Sequence, residues 1–596
     1  MRAGSKAAVR LFKKHIARLI TIIAIVIVSI GFMAGIGELE NKIRIAANGY
    51  YAEHNLSDLY LKSPNQTGFS ATEQNKIIER YGAENVEKSF CMETKENDEI
   101  TRVYALNIGE NAINKIQFLE GELPQNGNEV LVERETDALK SYDVGEKITL
   151  TLFGREAEYT VCGIVFNPLY MAKVDEPSFQ FKGETLSSVV YLDKAYLPIP
   201  FVNDIYITLL DRALYDGFHE SYGEYVKGEA ANIEAELGTA NVTVLSLYEN
   251  FGFYSLASYA EKVGQIGIIF VVFFLLVTLL ITHAAMARLF DEERAQIACQ
   301  KTLGISEGKI VGKYVLFVGI ATLLGGLSSF MVGIGLTRAL YLGFDLQYEM
   351  PPFPDTPSVR YYLITFSIVL AATTLLTLFS GLKACKEKPA HMLSAKSPKA
   401  GKKVILEKIP LLWRALSFKY KSTLRNVLLF KSRFLMTVVS VLGASVLVFA
   451  GMGLFDCALK VENGESLGFI SLILIVFSAV LCALVIYNLT NINVSERKRE
   501  IATLMVLGYQ DNEVAGYIFR EIYIMSIIGA VFGVPVGVLF VNFVFEFINF
   551  GALADVNWWT YLLAPSLTVV FAFLSTFLLR KKITKTDMNA SLKTVE

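Results

Sequence analysis

Eight apolar runs of membrane-spanning length constrain this chain of 596 residues more than any other feature. The hydrocarbon core of a bilayer requires about 20 consecutive apolar residues in a helix. Composition agrees, because 53% of the residues are hydrophobic and 19% are charged, and soluble domains carry more charge. We therefore predict a polytopic α-helical membrane protein with transmembrane helices at about 19–37, 263–287, 311–341, 360–382, 433–455, 468–490, 515–545 and 558–580.

Lysine and arginine are concentrated in alternate loops, which predicts the orientation of the chain. Loops 343–359 and 546–557 contain neither residue, and 456–467 contains only Lys460. Basic residues instead crowd the stretches 1–18, 288–313, 383–433, 494–514 and 580–596. By the positive-inside rule, both termini are cytoplasmic in a plasma or inner membrane, as an even number of spans also requires. No small-residue cleavage site follows the first basic stretch, so we expect a retained helix.

A polar insert of mixed pattern, 38–258, lies between the first two spans and on the extracytoplasmic side. At about 220 residues it can bury its own core, so we predict a folded α/β (α+β) domain. Alternating patterns predict strands, and helical periodicity predicts helices. The strands are Lys147–Phe153, Tyr159–Phe166, Ser188–Leu192 and Ile205–Leu209, and the helices are Ala71–Tyr81 and Arg212–Leu237.

A repeat with an offset of 204 residues divides the membrane part into two four-helix repeats. The stretch Arg288–Gly304, which we call the first elbow, is too charged for hydrocarbon, and its counterpart Ile492–Gly508 is the second elbow. The same offset relates Gly325 to Gly529 and Gly333 to Gly537. A repeat that keeps residue type, spacing and membrane context together indicates duplication.

These patterns give the following predicted organisation. The segments are 1–18, a cytoplasmic amphipathic helix; 19–37, span 1; 38–258, the extracytoplasmic domain; 263–382, spans 2–4; 383–432, a cytoplasmic linker with an amphipathic helix; 433–455, span 5; 468–580, spans 6–8; and 581–596, a cytoplasmic tail.

The two elbows are the candidate functional sites. A short amphipathic helix between two spans can carry the motion of a partner protein into the membrane. We expect apolar residues to enter a groove on that partner, basic residues to fix the register on its rim, and a glycine to end each helix at C′. The residues are Arg294, Ile297, Ala298, Lys301, Leu303 and Gly304 in the first elbow, and Arg497, Arg499, Ile501, Ala502, Leu507 and Gly508 in the second. The alternative is that both are ordinary positive-inside loops.

Gly529, Gly533 and Gly537 are spaced four residues apart in span 7. Small residues at this spacing let helices approach closely, so we predict helix packing, with a gate as the alternative. Pro535 lies within this ladder and is consistent with either a hinge or a static kink.

Signatures of catalysis are absent from the sequence. A phosphate-binding loop requires GxxxxGK[ST], and Gly401-Lys402-Lys403 lacks both the upstream glycine and the hydroxyl residue. The five histidines have no metal-ligand spacing, and the net charge of −2 gives no reason to expect a nucleic-acid partner. Cys91 and Cys162 share the extracytoplasmic domain; a disulfide is open, but unpaired thiols are favoured. We expect no catalytic or metal site.

With these residues, the chain resembles the FtsX-like permeases of ABC transporters, the group that contains the MacB and lipoprotein-releasing permeases. The elbows resemble that family's signature of a charged helix end, an Ile-Ala step and a following Leu-Gly. Pro389–Leu393 and Met588–Lys593 resemble its closing motifs. The extracytoplasmic domain resembles the MacB-type periplasmic core domain at Leu119–Pro124, Asn128–Val132, Val144–Ile148 and Tyr159–Val165.

The resemblance implies a permease subunit of the mechanotransmission type that works with two copies of a separate ABC ATPase. ATP and Mg²⁺ are expected to bind to that ATPase and not to this chain. It implies export or extraction of a peptide, lipoprotein or amphiphilic drug, contact with membrane lipid, and room for an accessory extracytoplasmic protein. Simple members have four spans per chain and pair two chains, whereas this chain resembles a fused pair with one external domain missing. The alternative function is an ATPase-driven sensor of antimicrobial peptides, or a regulator of cell-wall hydrolases, without net transport.

Overall fold

The computed structural model describes residues 3–65, 67–109, 113–136, 138–196, 199–210, 216–355, 359–393, 417–429, 431–461 and 464–584. The chain forms two compact units. The helical unit comprises Met1–Glu38, Val263–Leu340 and Pro357–Glu596, and the inserted unit comprises Leu39–Lys262 and Tyr341–Thr356. The loop between the third and fourth spans thus belongs to the inserted unit, which the sequence analysis did not foresee.

Long apolar helices dominate the described residues. The helices are α1 (Ala3–Lys14), α2 (Ile16–Glu53), α3 (Ala71–Tyr81), α4 (Glu220–Leu237), α5 (Phe251–Glu292), α6 (Arg294–Thr302), α7 (Glu307–Phe344), α8 (Val359–Cys385), α9 (Pro389–Leu393), α10 (Phe418–Leu429), α11 (Lys431–Ala458), α12 (Glu465–Glu496), α13 (Lys498–Val506), α14 (Asp511–Ile548) and α15 (Thr560–Thr584). Eight of them are long and apolar enough to cross a membrane, namely α2, α5, α7, α8, α11, α12, α14 and α15. The prediction of a multi-pass membrane protein is confirmed.

Helix ends depart from the predicted bounds where hydropathy is a poor guide. Helix α2 continues to Glu53 and α5 begins at Phe251, because a polar stretch outside hydrocarbon can remain helical. The predicted helix Arg212–Leu237 is too long, since α4 begins at Glu220 and the side chain of His219 accepts a hydrogen bond from the Ser221 amide as its N-cap. Of the predicted linker and tail, residues 394–416 and 585–596 lie outside the described residues.

The inserted unit contains a mixed sheet of ten strands, which confirms the predicted α/β character. Its strands are β1 (Leu59–Lys62), β2 (Val86–Glu96), β3 (Glu99–Leu106), β4 (Gln117–Gly121), β5 (Glu129–Glu133), β6 (Lys147–Leu152), β7 (Arg155–Phe166), β8 (Ser188–Asp193), β9 (Asp204–Ile207) and β10 (Thr243–Ser246). The order is β10-β1-β9-β2-β3-β8-β5-β7-β4, and β6 also pairs with β7. The pairs β3–β8 and β5–β7 are parallel.

All four predicted strands are present, with small changes at their ends. Strand β6 stops at Leu152 because Phe153 and Gly154 both adopt positive φ, +51° and +76°, and turn the chain into β7. Strand β9 runs Asp204–Ile207 and not to Leu209. Cys91 and Cys162 are both free thiols, as the sequence analysis favoured.

The two halves of the chain pack against each other inside the helical unit. The rings of Phe273 on α5 and Phe540 on α14 lie 3.9 Å apart, centroid to centroid. Arg288 on α5 is buried and donates to Asn493 Oδ1 at 2.9 Å and to Thr437 Oγ1 at 3.0 Å. The two halves are therefore joined by both apolar packing and buried hydrogen bonds.

The glycine ladder of span 7 packs against span 5, as predicted. A Cβ atom added at Gly529, Gly533 or Gly537 would lie 2.9, 2.9 or 2.8 Å from atoms of Val441, Ser445 and Phe449 on α11. These distances are shorter than real Cβ contacts. In the first half, Gly325 meets Val26 on α2 in the same way, at 2.8 Å. Small residues therefore set the approach of the third span to the first in each half.

Enlarging the middle glycine of this ladder should destabilise the helical unit. Gly533→Leu forces α11 and α14 apart or the side chain off its rotamer, at a cost of about 1–3 kcal/mol. Gly516→Leu is the control on the same helix, since nothing lies within 4 Å of its added Cβ. Thermal unfolding in lipid nanodiscs measures both variants. Equal midpoints would show that the ladder is not a tight contact.

Candidate functional site

Each elbow contains a separate helix of nine residues, α6 in the first and α13 in the second. The chain bends at the residue before it, where Glu293 and Arg497 leave the helical conformation with φ/ψ of −91°/10° and −100°/14°. The preceding spans α5 and α12 end immediately before these bends. The two copies thus share bend position and helix length.

Both elbow helices end in the same hydrogen-bonded turn. Gly304 and Gly508 have φ of +80° and +90°, which favours glycine strongly. The amides of Gly304 and Ile305 donate to the carbonyls of Lys301 and Gln300 at 3.0 and 3.1 Å, and the second elbow repeats both bonds. This is a Schellman motif, so both glycines lie at C′ as predicted.

The Ile-Ala steps are buried inside the chain. Ile297, Ala298, Ile501 and Ala502 are 0% exposed. Ile501 belongs to a cluster with Val494 and the first turns of α14, including Val514 and Ile518. These four residues therefore do not project toward a partner, and the interpretation that they enter its groove is corrected: all four are buried within the chain, and Ile501 packs against its own half.

The turn after each helix carries exposed apolar side chains instead. Leu303 is 78% exposed and Leu507 is 69% exposed, directly before the C′ glycine. Three neighbouring apolar side chains are also exposed. Ile305 follows the glycine in the first elbow, and in the second Val506 precedes Leu507 and Tyr509 follows the glycine. A rigid turn thus presents the same leucine in both copies.

The basic residues of the first elbow bind within the chain rather than forming an open rim. Arg294 Nη2 donates to Glu387 Oε1 at 2.6 Å and to the His391 carbonyl at 2.9 Å. Lys301 Nζ pairs with Glu307 Oε1 at 2.9 Å and also donates to the Cys385 carbonyl. Both side chains are mostly buried, so they fasten α6 to the segment that follows α8.

The bend before the first elbow is held by residues around the junction of α1 and α2. Lys14 Nζ and His15 Nε2 lie 2.7 and 3.2 Å from Glu293 Oε1, and Arg18 Nη2 lies 2.7 Å from Glu292 Oε1. Burial raises the pKa of Glu293, but the hydrogen bonds from His15 and Lys14 outweigh it and lower the pKa to about 2. Stability from this contact is present above the ordinary value of 4.5 and is lost as the pH falls toward 2.

The equivalent bend in the second elbow has the opposite charge. Arg497, which the 204-residue offset aligns with Glu293, pairs with Glu521 of α14 at 2.8 Å, and both side chains are buried. Burial alone would lower the pKa of Arg497, but the nearby carboxylates of Glu521 and Glu500 outweigh burial and raise the pKa, so the arginine stays charged. The side chain of Arg499 lies outside the described residues.

Sequence reasoning missed the acidic partners of these cations. Glu293, Glu387 and Glu521 stand 24 to 279 residues from the cations they bind, so no local spacing reveals them. One signal was available in the sequence, because the 204-residue offset aligns Glu293 of the first bend with Arg497 of the second. An equivalent position with reversed charge requires a different partner in each half.

The fold and the elbows together define a class: a polytopic membrane protein with two similar halves, each with a bent elbow that ends in a Schellman motif between its second and third spans. Two segments of the chain, residues 268–389 and 472–588, match the FtsX-like permease C-terminal family. The matches begin 204 residues apart (472 − 268), which is the offset found in the sequence. The chain thus contains two FtsX-like permease C-terminal domains.

The two matched domains indicate a general role for the chain. FtsX-like permease domains are found in the transmembrane subunits of ABC transporters, which generally pair with a separate ABC ATPase and are not ATPases themselves. Each match includes one complete elbow, and neither covers residues 39–262. A search of curated proteins found no match to the chain.

Proposed function

We propose that this chain is the permease subunit of an ABC system of the mechanotransmission type. Two copies of a separate ATPase bind the two elbows, and their closure on ATP tilts the spans and moves the inserted unit. The observation that carries the proposal is the duplicated rigid turn that exposes Leu303 and Leu507 while burying the Ile-Ala step beneath it. Burial of such an exposed leucine in an apolar pocket is favourable, because it removes apolar surface from water.

The proposed orientation follows from the basic residues. The elbows and both termini face the cytoplasm, where the ATPase, ATP and Mg²⁺ are, and the inserted unit lies outside. ATP chemistry belongs to the partner. This chain supplies binding surfaces and the path of motion.

The proposed substrate is handled on the outer side. Export or extraction of a peptide, lipoprotein or amphiphilic drug by a MacB-like domain needs no polar tunnel through the spans. The close ring contact between Phe273 and Phe540 supports this, since apolar packing joins the halves there. Contact with lipid, and with an accessory extracytoplasmic protein, is part of the same proposal.

A single permease chain forms the membrane part of the proposed complex. The contacts of Arg288 with Asn493 and Thr437 support this, because they satisfy a buried guanidinium across the two halves. A pairing with a second copy of the chain would have to replace them.

Co-purification with ABC ATPases of the same genome tests the proposal. Native mass spectrometry in nanodiscs should show one permease with two ATPase subunits. Two permease chains per complex would overturn the fused-pair arrangement, and a chain that captures no ATPase would overturn the function. Net movement of a ligand that stimulates ATP hydrolysis separates transport from sensing.

A further inference from the structure

We infer that the loop Tyr341–Thr356 is a third attachment through which the spans drive the inserted unit, and that Glu349 is its positioning residue. The inference rests on the proposed function. The chain enters and leaves the inserted unit through α2 and α5, and this loop, between α7 and α8, is part of the same unit. Motion of the third and fourth spans is therefore transmitted to the inserted unit directly through the polypeptide chain of this loop.

The main chain of the loop pairs with the segment that follows β7. Ala172 and Tyr348 form an isolated antiparallel bridge. Beside it, the Lys173 amide donates to the Gln347 carbonyl at 2.8 Å, and the Glu349 amide donates to the Met171 carbonyl at 2.8 Å. Two backbone hydrogen bonds around one residue pair fix the register of the loop.

Charged side chains hold the same contact. Glu349 Oε2 lies 3.3 Å from Arg134 Nη1 and 3.5 Å from Lys173 Nζ. Lys173 Nζ also donates to the Asp345 carbonyl at 2.8 Å. Arg134 is buried, with its guanidinium 4.6 Å from the centre of the Phe166 ring at the end of β7. The carboxylate of Glu349 thus joins the loop to two cations of the inserted unit.

Two further hydrogen bonds hold the rest of the loop in position. Lys42 Nζ on α2 donates to the Pro354 carbonyl at 3.1 Å. Tyr341 Oη donates to the Pro351 carbonyl at 2.8 Å and closes the loop on itself. The loop is held at its centre and toward its second end, as a mechanical connection between the spans and the inserted unit requires.

The second half of the chain ties its equivalent loop differently. The 204-residue offset aligns 341–356 with 545–560, and that loop is held by Asp456 at the end of α11. Asp456 accepts from the Asn557 amide at 2.9 Å and from Thr560 Oγ1 at 2.6 Å. In the second half the loop is therefore bonded to a span of the same half. In the first half the equivalent loop is bonded to the inserted unit. The attachment is therefore specific to the half that carries a domain to move.

Removal of the carboxylate alone is too weak a test. Glu349 is 41% exposed, and exposed ion pairs contribute little. Charge reversal is sharper, since Glu349→Lys places a third cation beside Arg134 and Lys173. The double variant Glu349→Lys/Lys173→Glu restores one attractive pair.

The experiment follows the inserted unit in the full complex with its ATPase. Spin labels at Glu224→Cys and Leu459→Cys, both exposed sites, report the distance between the units with and without ATP by pulsed electron paramagnetic resonance. Cys162 and the exposed Cys299 are serine in this background. We expect Glu349→Lys to reduce the ATP-dependent distance change at least two-fold, with ATPase turnover and the unfolding midpoint unchanged. The charge swap should recover at least half of the loss.

Lys147→Glu is the matched control, because it reverses an exposed pair with Glu158 in the same unit, away from the loop. It should leave the distance change intact. An unchanged response in Glu349→Lys overturns the inference while leaving the proposed function standing. A wild-type complex whose distance does not respond to ATP overturns both.

A disulfide provides an independent test. The Ala172–Tyr348 pair lies between its flanking hydrogen bonds, a site where Cα atoms are about 4.5 Å apart and a disulfide fits. In Ala172→Cys/Tyr348→Cys, oxidation with copper phenanthroline should preserve the ATP-dependent change found in the reduced form. Loss on oxidation would show that the loop must detach, which overturns the inference.

Discussion

Leu303→Asp/Leu507→Asp should weaken binding of the ATPase by at least about 100-fold. Burying one leucine contributes about 1.5–3 kcal/mol, and each 1.4 kcal/mol is a factor of ten in affinity. Two copies therefore account for about 3–6 kcal/mol, and a carboxylate in an apolar pocket adds a desolvation cost. Surface plasmon resonance with the permease in nanodiscs measures the change, and the coupled ATPase rate should fall with it.

Both leucines are exposed, so the variant should fold normally. Leu459→Asp is the matched control, since Leu459 is an exposed leucine outside the elbows. Each single variant should lose part of the affinity. Ile297→Asp provides the contrast: its side chain is buried, so we expect a lower unfolding midpoint rather than clean uncoupling. Normal ATPase affinity in the double leucine variant would refute the elbow assignment.

Glu521→Ala should destabilise the second elbow by about 3–5 kcal/mol, because it leaves the buried guanidinium of Arg497 without its closest carboxylate. The remaining pair with Glu500 is 3.7 Å long and more exposed. The thermal unfolding midpoint measures the effect, and limited proteolysis near Arg497 localises it. Arg497→Met/Glu521→Met removes both charges and should restore most of the loss.

The bend of the first elbow has the same backbone geometry, but the cation that pairs with its glutamate is more exposed. Lys14 is 57% exposed, and His15 still contacts Glu293 when Lys14 is replaced. Lys14→Met should therefore cost about 1 kcal/mol or less. A loss as large as that of Glu521→Ala would show that burial does not set the difference between the two bends.

Several features of the fold were predictable because they depend on local chemistry. Hydropathy located eight spans, since each must match the thickness of hydrocarbon. Gly304 and Gly508 were assigned to C′ because only glycine readily adopts positive φ there. The ladder of Gly529, Gly533 and Gly537 was assigned to packing because its spacing places all three on one helix face.

Other features were not predictable, since they depend on residues far apart in the chain. The apolar stripe of the first elbow contains Ile297 and Leu303, and sequence gives no means of telling the buried residue from the exposed one. Arg294 and Lys301 had the appearance of solvated charges near a membrane, yet they bind Glu387 and Glu307. The assignment of loop 341–356 to the inserted unit likewise required the contacts of Glu349.

By itself, the sequence determined the number of spans, the duplication and the two glycine-ended elbows, because hydropathy, repeat offset and backbone conformation are local properties. Only the tertiary structure decided which elbow side chains are free to meet a partner and which acids hold each bend. It also decided that the loop between the third and fourth spans fastens to the inserted unit. The physical reason is that burial and ion pairing are set by whichever elements pack against a residue, and those elements are tens to hundreds of positions away.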